Sequence, residues 1–130
     1  MPRYEPIDAG LSFKVSVSDL IAFHWDTNGI QADFVVPDDE GHLLRVTFNR
    51  QCIVRILDEM ALSTETDDTP SEGLVPEHFA YRVYDAVFLR LQSEAWKCTQ
   101  ENLTHYRFIT GWACLDVLSS AYPSFELREQ

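Results

Sequence analysis

The chain has 130 residues, and 21 acidic side chains against 10 Lys and Arg leave a formal charge of −11. At this length one domain, spanning 1–130, is the default, and 45% hydrophobic with 12% aromatic residues suffices for a buried core; a disordered acidic chain lacks such aromatics. So acidic a surface disfavours nucleic acid and anionic membranes as partners, and favours a basic protein.

Cys52, Cys98 and Cys114 are odd in number and lack CxxC spacing, which speaks against a disulfide framework or a zinc knuckle and for reduced thiols. Residues 1–6 carry no apolar signal region, and no apolar run approaches the roughly 20 residues that span a bilayer. The expectation is a cytoplasmic protein.

Residues 1–10, closed by Gly10, read as a loose leader. Leu11, Phe13, Val15 and Val17 alternate with polar residues, the period of a half-buried strand. Leu20 to Trp25 is a second apolar stretch. Asp26-Thr27-Asn28-Gly29 follows as a hairpin signal, because Asn and Gly tolerate positive φ. Ile30 to Val36 is the returning strand. Another turn at Pro37 to Gly41 leads to Leu43 to Phe48, completing a meander.

Gln51 to Met60 is ambiguous: Ile53, Ile56, Leu57 and Met60 fit a helical stripe, while Ile53-Val54 suits a strand ending near Asp58. Residues 61–77 lose periodicity and read as a long acidic loop, mobile or functional at that length. Beyond it, Tyr84, Phe88, Leu91, Ala95 and Cys98 step by four and three, as on one face of a helix. That helix starts either at a cap on Asp85, after a short strand over Phe79 to Val83, or at Pro76. His105 to Ile109 and Trp112 to Leu118 form a closing hairpin, and Pro123 ends the regular structure. The predicted class is α+β: a mostly antiparallel sheet, N-terminal meander plus C-terminal hairpin, against one main helix.

The closing hairpin holds the densest chemistry. With Thr110-Gly111 at its tip, Ile109 faces Trp112, Arg107 faces Cys114 and His105 faces Asp116. The two-residue period then puts all six on one side. A carboxylate orienting an imidazole near a thiol is the arrangement of thiol catalysis. The plainer reading is a surface His–Asp pair and a core cysteine, and a different loop length changes the register. Tyr106, Phe108, Ala113, Leu115 and Val117 form the more apolar, core-facing side.

Metal binding and cofactors are not expected. The four histidines are scattered, and Asp38-Asp39-Glu40-Gly41 lacks the spaced acids of an EF-hand. Glu65, Asp67, Asp68 and Glu72 read as a solvated loop before a calcium site. No GxGxxG, P-loop or GxSxG pattern occurs. Trp25 and Trp96 are expected in the core, whereas Trp112, beside a hairpin tip, is the first choice for a contact residue.

The charge is unevenly spread. From Asp58 to Glu77 there are seven acids (Asp58, Glu59, Glu65, Asp67, Asp68, Glu72, Glu77) and no base. The sequence therefore points to a non-catalytic protein-binding module, comparable in size and charge alone to immunity-type inhibitors of basic effectors. Its contacts would run through Glu65, Asp67, Asp68, Glu72 and Trp112. The alternative is a small thiol-dependent enzyme or ligand pocket using Cys114, His105, Asp116 and Arg107. An oligomer completed by exposed aromatics is a third possibility.

Overall fold

Alternating apolar residues run through most of the regular structure, and that period of two dominates the fold. A computed structural model describes residues 2–58 and 72–130. Among them, nine strands appear: β1 (Arg3–Pro6), β2 (Leu20–Asp26), β3 (Gly29–Val35), β4 (His42–Phe48), β5 (Cys52–Asp58), β6 (Ala80–Tyr84), β7 (Thr104–Ile109), β8 (Ala113–Ser119) and β9 (Ser124–Glu129). Five make one antiparallel sheet in the order β1-β6-β7-β8-β5, and four make a second in the order β2-β3-β4-β9.

The inward residues of both sheets meet in one core. Ile30, Ala32, Phe34, Leu44, Val46 and Phe48 come from the second sheet, and Ala80, Tyr106, Phe108, Leu115 and Val117 from the first. Aromatic rings bridge the layers, Phe34 edge-on to Phe79 at 4.7 Å and Phe79 tilted against Phe108 at 5.4 Å between centroids. Edge-to-face contacts of this kind add to area burial, because each ring edge meets the electron-rich face of its neighbour. The apolar face of the hairpin is the core side, as its composition predicts.

The α+β expectation is overturned: the described fold is largely β, with two four-residue helices and no main helix. Residues 84–98 carry a helical stripe that their local structure breaks. Tyr84 ends β6, and Asp85 turns the chain with φ 62 instead of capping anything. Helix α1 (Val87–Arg90) begins after Ala86, and Ser93 then starts α2 (Glu94–Lys97) by accepting the Trp96 N–H at 3.3 Å. Phe88 is buried while Leu91 is 76% exposed, so the stripe is not one face. No helix starts at Pro76 either, where the chain makes a turn.

Three further expectations change. The 1–10 leader contains β1, and Tyr4, Ile7 and Ala9 are buried. The predicted strand over 11–17 is irregular, closing in a 3-10 turn at Val15–Val17. Pro123 does not end the regular structure but precedes β9, which pairs with β4. The meander over β2, β3 and β4 stands, and Gln51 to Met60 resolves as a strand as far as Asp58.

Candidate functional site

Two features carry the chemistry, a buried ion-pair network on the outer face of the five-stranded sheet and an open apolar cleft beside the β7–β8 hairpin tip. The network is built by register. Arg107 on β7 and Arg55 on β5 both lie opposite Asp116 on β8, so two guanidiniums flank one carboxylate. Asp116 Oδ1 accepts from His105 Nε2 at 2.7 Å and from Arg107 Nε at 2.6 Å. Its Oδ2 accepts from Arg55 Nε at 3.0 Å and Nη2 at 2.7 Å. Arg107 Nη1 in turn donates to the Tyr4 hydroxyl at 2.6 Å.

Asp116, Arg107 and His105 are fully buried. Phe88 helps to cover them: its ring stands edge-on to His105 at 5.5 Å, and the Arg55 guanidinium stacks on it at 4.3 Å. That burial accounts for α1, whose single turn delivers Phe88 to this face.

Burial alone would raise the Asp116 carboxyl. The hydrogen bond from His105 and the charge of Arg107 outweigh it, holding the group well below the usual carboxylate range. For His105, burial dominates and pushes the imidazole below its ordinary value; the nearby Arg107 and Arg55 charges act the same way, and the Asp116 bond only partly opposes them. A neutral ring that donates from Nε2 keeps an unprotonated Nδ1, and this buried atom has no hydrogen-bond partner among the described residues. Arg107, opposed by desolvation but stabilised by Asp116 and Tyr4, is raised and stays charged.

The structure brings His105, Arg107 and Asp116 together, but not in the predicted register. Thr110 and Ala113 pair, which puts Gly111-Trp112 at the tip; Ile109 then faces Cys114, Arg107 faces Asp116, and His105 faces Leu118. A two-residue slip keeps every side chain on its own face, so the expected residues still share one side with changed partners. Cys114 is buried opposite Ile109, and four residues, about 13 Å along a strand, separate Ile109 from His105. His105 spends its one donor on Asp116.

The second feature is a cleft of about 380 Å³ lined by Val15, Leu74, Val75, Pro76 and Ile109, with Glu77, His78 and Tyr81 completing it. Its walls are pinned. The Tyr81 hydroxyl accepts from the Val75 N–H at 3.0 Å and donates to the Val75 carbonyl at 2.9 Å. Gly111 N–H bonds the Val15 carbonyl at 2.9 Å, docking the hairpin tip there. Leu74, Val75, Val17 and Trp112 are all exposed, Trp112 at 65% beside the hairpin tip. Trp25, expected in the core, is 46% exposed on β2, and Trp96 is half-buried.

Of the acidic contact residues, Glu65, Asp67 and Asp68 lie outside the described residues. Glu72 is exposed and held at β1, its carbonyl accepting from Tyr4 N–H at 2.8 Å and its N–H donating to the Pro2 carbonyl at 3.2 Å. Sequence reasoning missed Arg55 and Tyr4, as well as the cleft. A lone arginine among the apolar residues of β5 was one available signal, and the Leu74-Val75-Pro76 trio inside an acidic stretch was another. Among the described residues no His, Cys, Asp or Glu group is arranged to hold a metal, and no helix is long and apolar enough to cross a membrane.

Fold and site define an antiparallel two-sheet β domain with a buried ion-pair network and an apolar cleft. Comparison with protein-family models, curated proteins and solved structures found no match.

Proposed function

We propose that this chain is a non-catalytic binding module for a basic protein, an inhibitor of the immunity type being the nearest functional analogue. The carrying observation is the charge distribution: seven of the 21 acids and none of the 10 bases fall between Asp58 and Glu77. An acidic stretch of this density along the sequence steers a cationic partner and raises the association rate more than the final affinity. Glu65, Asp67, Asp68 and Glu72 supply that field, and Trp112 supplies an exposed aromatic contact of the kind that anchors protein interfaces. The thiol-dependent alternative has less in its favour, since His105 is hydrogen-bonded to Asp116 and Cys114 lies opposite Ile109.

Affinity capture from the native host, at low and at high salt, tests the reading. The bait is the intact chain or a variant carrying Glu65→Gln, Asp67→Asn, Asp68→Asn and Glu72→Gln. The expected result is a basic protein retained at low salt, released at high salt, and captured more slowly by the variant. Salt-insensitive capture, or equal association rates for the two baits, overturns the electrostatic reading.

A further inference from the structure

We infer that the apolar cleft between Leu74-Val75 and the β7–β8 hairpin tip receives an aliphatic side chain of a cationic protein segment. The proposal rests on the binding reading above and deepens it, by naming the surface that holds what the acidic stretch attracts.

Three observations carry it. The cleft is apolar and open, and at about 380 Å³ it falls within the size range of ligand sites. Leu74 and Val75 line it while being about half exposed, which leaves apolar surface in water at a concave place. Its polar groups are also used internally. The Tyr81 hydroxyl closes on Val75, His78 Nε2 bonds the Ile7 carbonyl at 2.9 Å, and Glu77 Oε2 accepts the Ser16 N–H at 3.2 Å. A small polar molecule would find few convergent donors and acceptors to orient it, whereas an aliphatic side chain needs none.

Charge complementarity selects the partner. Among the described residues Glu77 is the one acid lining the cleft, and it ends the stretch that has seven acids and no base. A segment with Lys or Arg beside an apolar residue satisfies both halves, its charge meeting Glu77 and its apolar group entering the cleft. The pinned walls favour this, because a site held in its binding shape loses little freedom on association. Long-range attraction then sets the arrival rate, and the cleft sets the residence time.

The test uses two synthetic peptides, one Lys-rich with interspersed Leu and a twin with Ser at every Leu position, titrated into the intact chain. Calorimetry gives affinity, and methyl NMR reports on Val15, Leu74, Val75 and Ile109. The Leu peptide is expected to bind about ten- to a hundred-fold more tightly than its twin, the range for burying one aliphatic side chain. Shifts should concentrate on those methyls. The double variant Leu74→Ser, Val75→Thr, exposed enough to leave the fold intact, should erase the difference while keeping the salt-dependent background. Equal binding of both peptides, or shifts confined to other residues, overturns the cleft and leaves the electrostatic reading standing. Failure of both peptides to bind at low salt overturns the cleft and counts against the electrostatic reading as well.

Discussion

His105 donates its Nε2–H to Asp116 at 2.7 Å, and its Nδ1, in the same buried layer, has no partner among the described residues. Burial and the charges of Arg107 and Arg55 disfavour the protonated ring, which lies among Asp116, Arg107, Arg55 and the edge of Phe88. A second proton would put another cation between two arginines.

Stability therefore falls on mild acidification. The folded imidazole binds its proton less readily than the unfolded one, so its contribution is complete above about pH 6.5 and is lost as pH drops below that. Asp116 shifts in the same direction, but its window opens only below about pH 4. Unfolding by denaturant across pH 5–7 should show a slope of up to about 1.4 kcal/mol per pH unit. His105→Gln, which keeps a donor for Asp116, should flatten it. An unchanged slope in the variant would assign the effect to another group.

Asp116→Asn should be among the most damaging single changes in this chain. It removes the one carboxylate that Arg55, His105 and Arg107 share, and loss of one partner from a buried ion pair costs about 3–5 kcal/mol. Tyr4→Phe removes only the hydroxyl that accepts from Arg107 Nη1, at about 1–3 kcal/mol. Denaturant midpoints should rank the variants in that order, and the reverse ranking would contradict the network.

Gly111→Ala should unseat the hairpin tip. A Cβ at this position would overlap the Ser16 carbonyl oxygen, a backbone atom that cannot swing aside. The Gly111 N–H bond to Val15 would be strained or lost, at about 1–3 kcal/mol. Heat-denaturation scans check the stability. Hydrogen exchange at Gly111 should accelerate relative to the β7–β8 ladder, and equal protection in both chains would refute the docking.

Thiol labelling should distinguish the three cysteines. Cys98 is exposed; Cys52 is half-buried, with burial pushing its thiol up to about 11; Cys114 is buried. Iodoacetamide at neutral pH, read by peptide mass spectrometry, should modify Cys98 first and Cys114 only after denaturation. Rapid labelling of Cys114 in the folded chain would revive the thiol-dependent reading.

The period of two was legible where one strand face is buried and the other half-exposed, as in β4, whereas β8 is buried on both faces and was placed by its apolar run. The Tyr84–Cys98 stripe misled because spacing says nothing about chain breaks, and the reversal at Asp85 with the restart at Ser93 divides it. The network was legible only in part: His105, Arg107 and Asp116 were placed on one face, but Arg55 and Tyr4 were missed and the pairing was wrong, since composition assigns a face and only the turn assigns a register. Thr110 decides that turn: its hydroxyl donates to the Ala113 carbonyl at 2.6 Å and accepts from the Ala113 N–H at 3.0 Å. Arg55 was out of reach because it comes to Asp116 from 61 residues away.

The pairing of β4 with β9 has a kinetic consequence. Leu44 lies opposite Leu127, 83 positions later, and the rest of that sheet is a local meander. During synthesis β4 thus presents an open edge until β9 has emerged, and closing so long a loop is slow. Until β9 arrives, Leu44 and Val46 are open to pairing with another nascent chain. Yield at high expression should depend on how quickly β9 is delivered.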